Sequence, residues 1–196
     1  MKNDHDIGAD PPDDRVLTTS RLRLPPWEER FADDLVRLSR DERVMRHIGS
    51  GPWTAEYAGE RHRHALRQWQ DEGFGMRAIL RGERFAGLVS LVSCTLPGVA
   101  EPAMEIGWWI DPAAWGQGIA TEAAAAVRDE AFRLGAATLI ARHHPANEAS
   151  GRIMVKLGMI PHGDGTDRYG RPCRIHILPQ PGLHRAGSPD RPDTPG

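Results

Sequence analysis

The sequence predicts an α+β fold, that is, a mixed α/β domain in which strands and helices do not alternate regularly. Helix-like segments fill most of the first third of the chain. Three strand-like segments joined by turns then follow one another, and a strand-helix-strand passage comes after them. Consecutive strands beside a βαβ-like unit are typical of α+β domains and not of uniformly alternating α/β folds.

The chain has 196 residues, which suits one domain with a substantial core, or two small ones. Residues 1–15 and 180–196 are rich in Pro, Gly or Asp and offer almost nothing to bury, which favours disorder at both ends. The predicted folded domain therefore spans residues 16–179, and it contains no internal repeat.

The first half is predicted to contain a short strand and two helical regions. Residues 21–24 alternate polar and apolar side chains and stop at two prolines, as a short strand would. Apolar residues recur at helical spacing over residues 27–48. Residues 49–52 are Gly-Ser-Gly-Pro and end this region, and Thr54 precedes a second helical region that runs to about residue 71.

The other strands are predicted from short apolar runs bounded by turn residues. They cover residues 74–80, 84–93, 104–110, 138–141 and 173–178.

Two further helices are predicted in the second half. One follows the stretch 114-AWGQGIATEAAAA-126 and ends near Gly135, a residue type common just after helices. The other begins after Asn147, which suits the N-cap position, and ends near Gly158. The first of these helices is expected to bury one stripe that consists of Ala120, Ala123, Val127, Ala131 and Leu134.

Composition narrows the function classes. The net charge is −2, so the chain lacks the basic field that sequence-independent nucleic-acid binding requires. Residues 1–15 contain no apolar segment of a secretory signal, and no apolar run is long enough for a membrane span.

The two cysteines lack metal or disulfide spacing, which favours free thiols in a reducing cytoplasm. The histidine pairs 62/64 and 143/144 also lack the spacing of a zinc site, so no metal is predicted.

The stretch 114–126 carries the clearest chemical signal. Gly116 and Gly118 remove side chains just before a helix, where free N–H groups and the positive helix end can hold a phosphate. Residues 117–121 would supply the donors. The stretch lacks the lysine of the Walker loop, and residues 140–142 lack the acid that a dinucleotide fingerprint needs. The alternative is a tight turn that only leads into a helix.

Four motifs in order resemble the GCN5-related N-acetyltransferase (GNAT) superfamily. Residues 115–120 match its pyrophosphate loop, (R/Q)-x-x-G-x-(G/A), with Trp115 in the first place. The segment 147-NEASGRIMVKLGM-159 matches the motif N-x-x-S-x-R-x-x-x-K-L-G-(F/M). Residues 18–27 and 104–112 resemble the first and fourth strands of the branch that acetylates the N-terminal amines of ribosomal proteins (RimJ/RimL type). The resemblance covers nearly the whole predicted domain.

The resemblance implies a single domain with a central, mostly antiparallel sheet, flanked by helices, whose fourth and fifth strands splay apart. It also implies acetyl-coenzyme A as the donor, with the pantetheine arm inserted between those strands and paired to a bulged fourth strand. By position, backbone groups of Trp109 and Ile110 would pair with the arm, and an N–H near Trp109 would polarise the thioester carbonyl. The residues expected to bind the coenzyme are Trp109, Ile110, Trp115, Gly116, Gln117, Gly118, Ile119, Ala120, Thr121, Asn147 and Ser150.

Glu105 is the predicted acceptor of the proton that the amine must lose. In an unbulged strand Glu105, Gly107 and Trp109 share one face, which places a carboxylate beside the expected ligand groove. Alternatively, Glu105 pairs with an arginine or points to solvent. The resemblance implies that the Ser150 hydroxyl lies near the coenzyme sulfur as a proton donor, and Tyr169 is a second candidate for that role.

We expect acetyl transfer directly from acetyl-coenzyme A to a primary amine in a ternary complex, because neither Cys94 nor Cys173 lies in a nucleophile motif. The acceptor is a protein N-terminal amine or a small amine. The expected acceptor groove is lined by residues 49–60 and by the loop after Gly163. The carboxylates that could attract a cationic acceptor there are Glu56, Glu60 and Asp164.

Two alternatives stay open from the sequence. A non-catalytic acyl-coenzyme A binding or sensing domain would keep the loop and the splayed strands but would need neither Glu105 nor Ser150. A nucleotide- or dinucleotide-binding protein would use the same loop for another ligand. Neither nucleic acid nor membrane is expected as a partner, and both a monomer and a homodimer are compatible with the sequence.

Overall fold

The computed structural model describes residues 14–167 and 169–182. Its strands are β1 Leu17–Thr18, β2 Arg23–Leu24, β3 Arg77–Arg81, β4 Arg84–Cys94, β5 Ala103–Ile110, β6 Thr138–His143, β7 Ile160–Thr166 and β8 Pro172–Pro179. Its helices are α1 Ala32–Arg40, α2 Glu42–Met45, α3 Ala55–Glu72, α4 Ile119–Arg133 and α5 Glu148–Lys156, with short 3₁₀ turns at Glu29–Phe31 and Pro112–Ala114. None of the helices in these ranges is long and apolar enough to cross a bilayer.

All eight strands belong to one sheet, in the order β1-β2-β3-β4-β5-β6-β8-β7. The β5–β6 pairing is parallel, and every other pairing of the described strands is antiparallel. The predicted α+β class with a mixed, mostly antiparallel sheet is therefore confirmed.

The splay expected between the family's fourth and fifth strands lies between β5 and β6, because residues 104–112, matched to the fourth strand, form β5. These strands pair only at Ala103 with Thr138, Met104 with Leu139 and Glu105 with Ile140. Beyond that point β5 continues to Ile110 and β6 to His143 without pairing to each other. The two strands thus part over their carboxyl-terminal halves and leave an open gap in the middle of the sheet.

The two faces of the sheet carry separate apolar clusters. On one face α4 buries Ile119, Ala123 and Val127 against Ile106 and its neighbours. On the other face the segment from Trp27 to α1 packs with α3. Because side chains alternate along a strand, Trp108 contacts the α4 cluster whereas Trp109 contacts the opposite one.

A buried arginine of β3 links β2, α3 and α4. Arg77 on β3 is 1% exposed and forms an ion pair with Glu130 on α4. The Arg77 guanidinium also donates to the carbonyl oxygens of Leu24 (2.8 Å) and Arg15 (2.6 Å), and it lies 4.6 Å from the ring centre of Trp69. These contacts fix α4, and therefore its amino-terminal end, relative to the sheet.

Several local predictions differ from the structure. The predicted strand at residues 21–24 is reduced to Arg23–Leu24, and β1 was not predicted. Leu134 was expected on the buried stripe of α4, but it follows the last helical residue and is 45% exposed. Residues 74–76 precede β3 without joining it. Strand β7 was missed because its exposed, Gly-containing sequence lacks the alternation that marks a strand.

The predicted disordered tails fall mainly on residues 1–13 and 183–196, which lie outside the described residues. At the inner ends of the tails the chain contacts the domain. The Arg15 carbonyl accepts the bond from Arg77, and the Gln180 N–H donates to the Ala137 carbonyl at 2.9 Å. The boundaries at residues 16 and 179 stay a prediction.

We expect Glu130→Gln to lower the free energy of unfolding by about 3 kcal/mol or more, because it leaves the Arg77 charge buried without its carboxylate. Urea unfolding measures the change. The matched control is Glu28→Gln, which removes one partner of an exposed ion pair with Arg30 and should cost less than about 1 kcal/mol. Equal, small losses in both variants would show that the buried pair does not anchor α4.

Candidate active site

The stretch that follows β5 forms a tight loop that ends in α4. The Asp111 carboxylate accepts a hydrogen bond from the Ala113 N–H (2.9 Å) and caps the short 3₁₀ turn. Gly116 and Gly118 then adopt φ values of 73° and 76°, which residues other than glycine rarely adopt. The helix begins immediately afterwards at Ile119. The sequence therefore needs both glycines to make this approach to the helix.

The first turn of α4 presents unpaired backbone donors. The first helical bond joins the Glu122 N–H to the Gly118 carbonyl at 3.1 Å. The N–H groups of Ile119, Ala120 and Thr121 thus have no partner within the helix, and they lie at its positive end. These three residues line a cavity of about 690 Å³, so the donors lie at its wall.

An arginine clamps the loop from the outside. The Arg21 side chain donates to the Gln117 carbonyl at 3.0 Å and to the Glu122 carboxylate at 2.7 Å. Thr19 donates to the same carboxylate at 2.6 Å. Partial burial tends to raise the pKa of Glu122, but the hydrogen bonds from Thr19 and Arg21 outweigh it and hold that pKa below its usual range. Glu122 therefore stays ionised at neutral pH, and Arg21 neutralises its charge beside the positive amino-terminal end of α4.

The Gln117 side chain points away from the cavity. Its amide oxygen accepts from Arg81 at 2.6 Å, and its amide nitrogen donates to the Ala113 carbonyl at 3.0 Å. All the other residues predicted to bind the coenzyme line the cavity, namely Trp109, Ile110, Trp115, Gly116, Gly118, Ile119, Ala120, Thr121, Asn147 and Ser150. The Gln117 side chain therefore stabilises the loop and does not line the cavity.

The open edge of β5 carries the backbone groups of Trp108 and Ile110. The Asp111 N–H bonds to the Ala86 carbonyl of β4 at 2.9 Å, and β4 and β5 keep one register from Gly87 with Ile110 to Cys94 with Ala103. Backbone direction alternates along a strand, so the groups of Trp109 face β4. The expectation that the Trp109 backbone faces the gap is therefore wrong by one residue.

The bulge that the resemblance implied for this strand is also absent from the eight β4–β5 pairs. A register shift lies instead between Ile79 and Leu80 of β3. Gly87 explains how β4 approaches β5 so closely: its φ is 150°, and a Cβ atom there would collide with the Trp109 carbonyl oxygen. The Ile110 carbonyl accepts from the Trp115 indole at 2.8 Å, which secures the loop to the end of β5.

Glu105 lies where β5 and β6 separate, but it is not among the residues that line the cavity. It forms an ion pair with Arg142 of β6, in agreement with the alternative that it pairs with an arginine. Burial, and then the charge of Glu105, raises the pKa of the neighbouring Cys94 thiol to about 11. Burial also raises the pKa of Cys173. Both thiols are therefore protonated, and hence weak nucleophiles, at neutral pH.

Asn147 and Ser150 meet at the start of α5. The Asn147 side chain accepts a hydrogen bond from the Ser150 N–H at 3.3 Å, so the predicted cap is confirmed. Both residues line the cavity. Tyr169 does not: its ring lies beside Gly49, where a Cβ atom would come within 3.1 Å of it. Residues 49–60, expected in the acceptor groove, are also absent from the described lining.

Sequence reasoning missed the wall that α2 provides. Residues 43–48, apart from the buried Met45, line the cavity. The His47 ring stacks on His144 with centres 5.4 Å apart and planes 17° apart, and Arg171 donates to the His47 carbonyl at 2.9 Å. No local pattern marks these residues, since each contact joins positions nearly a hundred or more residues apart.

The cavity lining is cationic. Arg43 and Arg46 belong to the α2 wall, and Arg152 and Lys156 lie one turn apart on α5. The sequence signal for Arg152 and Lys156 was the motif matched by residues 147–159, in which they are the R and the K. No carboxylate occurs among the described lining residues, so the field favours a polyanionic ligand.

Comparison with known proteins points to one family. A profile of the acetyltransferase (GNAT) domain matches residues 21–160. The uncharacterized N-acetyltransferase YnaD of Bacillus subtilis (strain 168) is 27% identical over 150 residues, which are 73% of this chain and 81% of that protein. An acetyltransferase from Agrobacterium tumefaciens str. C58 superposes with a TM-score of 0.71 at 25% identity, over 84% of this chain and 94% of that one.

The fold is also shared with RimL, a ribosomal L7/L12 alpha-N-protein acetyltransferase that was solved in complex with coenzyme A. That structure superposes with a TM-score of 0.70 at 16% identity and covers 84% of this chain and 97% of its own.

We expect Arg21→Gln to weaken the binding of coenzyme A about tenfold, because the variant releases the loop and leaves the Glu122 charge unpaired beside the bound anion. Isothermal titration calorimetry measures the affinity. Arg30→Gln, which removes another exposed arginine far from the loop, is the matched control and should leave the affinity unchanged. An Arg21→Gln variant that binds as tightly as the control would show that the clamp has no role in the site.

Proposed function

The chain belongs to the GNAT acetyltransferase domain family, and we propose that it transfers an acetyl group from acetyl-coenzyme A to a primary amine. The observation that carries this proposal is one continuous cavity. It connects the free N–H groups at the start of α4 with the open edge of β5 and with the start of α5. A ligand with a diphosphate at one end and an extended amide-containing arm fits this combination.

The pyrophosphate would lie at the α4 end of the cavity. The N–H groups of Ile119, Ala120 and Thr121 would donate to its oxygens, and the glycines would allow their close approach. The cations of Arg152 and Lys156 would balance further phosphate charge. Glu122 is compatible with an anion here because Arg21 neutralises it.

The pantetheine arm would extend along the open edge of β5. Trp108 and Ile110 direct backbone groups into the gap, where β6 is too far away to pair with them. The amides of the arm would pair with these groups as an added strand does. A backbone N–H of this edge would also polarise the thioester carbonyl, which costs no reorganisation during the reaction.

Transfer would be direct, in a ternary complex. The raised pKa values of Cys94 and Cys173 argue against an acetylated cysteine. The Ser150 hydroxyl, at the start of α5 and on the cavity wall, would give a proton to the departing thiolate. The acceptor that we propose is a protein N-terminal amine, which the fold shared with RimL supports.

Acetyl transfer to peptides with free N-termini tests the proposal. We expect turnover with acetyl-coenzyme A and intersecting initial-velocity lines, because both substrates must be bound together. S-acetyl-pantetheine, which lacks the pyrophosphate, should bind at least about 100-fold more weakly, since it loses several charge-assisted hydrogen bonds.

Tight coenzyme binding without transfer to peptides, polyamines or aminoglycosides would contradict catalysis and indicate a binding or sensing domain. Equal affinity for acetyl-coenzyme A and S-acetyl-pantetheine would contradict the assignment of the α4 end to the pyrophosphate.

A further inference from the structure

We propose that the His47 imidazole is the group that accepts the proton from the acceptor amine. The proposal rests on the acetyl transfer described above and assigns the base for it. His47 follows α2, lines the cavity and is separated by 58 positions from Glu105, the residue that the sequence favoured.

The chemistry of the cavity wall singles out His47. The other ionisable side chains among the described lining residues are those of Arg43, Arg46, Arg152 and Lys156. Arginine and lysine are protonated at neutral pH, so they cannot accept a proton there. An imidazole can be neutral at pH 7 and can take up a proton reversibly.

The position of His47 brings it to the corner where the acetyl group would lie. Its ring stacks on that of His144, which directly follows β6. The His144 carbonyl accepts from the Asn147 N–H at 2.8 Å, and Asn147 caps the helix that carries Ser150. The bond from Arg171 to the His47 carbonyl fixes the backbone of this segment. His47 and Ser150 both line the cavity, and the contacts of His144 and Asn147 connect the two segments that carry them.

The surroundings of His47 keep its ring neutral. Burial lowers its pKa, and the neighbouring His144, Arg46 and Arg171 lower it further because each disfavours a second positive charge. These charged and titratable groups directly follow β6 (His144) and α2 (Arg46) or directly precede β8 (Arg171). The Ala146 N–H donates to Nδ1 of His144 at 3.2 Å, which fixes the orientation of the ring on which His47 stacks.

Glu105 is less suited to the role. Its carboxylate is bound to Arg142, and neither residue lines the cavity. An amine in the cavity therefore meets the His47 wall and not the Glu105 carboxylate.

The proton balance of the step is as follows. The ammonium form of the acceptor gives one proton to the neutral His47 ring, and the ring releases it to solvent. The resulting amine attacks the thioester carbonyl, where a C–N bond forms and the C–S bond breaks. The Ser150 hydroxyl gives its proton to the departing sulfur, which leaves as a thiol, and the serine regains a proton from the nitrogen, which loses its second proton. One acetylamide, one coenzyme thiol and one free proton result.

The test is the pH dependence of kcat with a peptide acceptor, for wild type and His47→Gln. We expect His47→Gln to lower kcat at least about 100-fold at pH 7 and to abolish the fall of kcat at acidic pH that protonation of His47 causes. The defect should shrink to less than about tenfold at pH ~9, where a peptide α-amine is already neutral. A merely structural defect would not vary with pH in this way.

Two controls accompany the variant. His64→Gln removes an exposed histidine of α3 and should behave as wild type. Glu105→Gln should keep the fall of kcat at low pH. If Glu105→Gln loses this fall while His47→Gln retains it, Glu105 is the base and the proposal is wrong. Affinity for coenzyme A within about threefold of wild type shows that His47→Gln is folded and that only the chemical step changed.

Two further measurements keep the proposal testable if His47→Gln is unstable. An imidazole added to His47→Ala should restore part of the rate, and the absence of any rescue in a variant that binds coenzyme A would overturn the assignment. In the wild-type coenzyme complex, the pKa of the His47 ring from NMR must agree with the limb of kcat, and a disagreement of more than about one unit would overturn it. If wild type shows no acetyl transfer at all, the proposed function itself fails; transfer that is unaffected in His47→Gln refutes only the role of His47.

Discussion

The separation of β5 from β6 after three residue pairs is the constraint on which the rest of the structure depends. The two strands are parallel, so their carboxyl ends lie at the same edge of the sheet, and the helices that follow them begin there. The amino-terminal ends of α4 and α5 therefore both open toward one gap. Paired strands would satisfy the backbone groups of Trp108 and Ile110 and would close the gap. In the separated state the Ile110 carbonyl accepts from the Trp115 indole. The Trp108 groups and the Ile110 N–H require another partner, which an extended amide-bearing ligand would supply.

Several contacts outside the cavity fix the elements that form its walls. The buried charge of Arg77 needs Glu130 and two carbonyls as partners. Such an ion pair contributes less to the free energy of unfolding than well-packed apolar residues would, but it fixes one position of α4. Arg21 fixes the loop in front of the same helix. Gly87 lets β4 support the end of β5 at a distance that no side chain would permit. Each contact lies outside the cavity, and each determines where the cavity wall stands.

The sequence predicted the parts of the site that depend on local chemistry. The glycines at 116 and 118, the start of α4 and the Asn147 cap follow from backbone preferences that act over a few residues. The sequence could not predict which residues of β5 direct their backbone N–H and C=O groups into the gap. That depends on the pairing of β5 with β4, of which the bond from the Asp111 N–H to β4 is one part. Nor could it predict that Arg142 binds Glu105, or that His47 stacks on a residue 97 positions later. Those contacts are decided by the packing of α2 and β6, for which no short motif exists.

The most direct test of this account is amide hydrogen exchange with and without coenzyme A, read at single-residue resolution. If the ligand occupies the gap, we expect added protection at Trp108, Ile110 and residues 119–121, because these N–H groups acquire acceptors, and none at the exposed edge strand β7. Protection confined to other surfaces, or an unchanged rate at Trp108 and Ile110 with the coenzyme bound, would contradict the claim that the separated strands hold the acetyl donor.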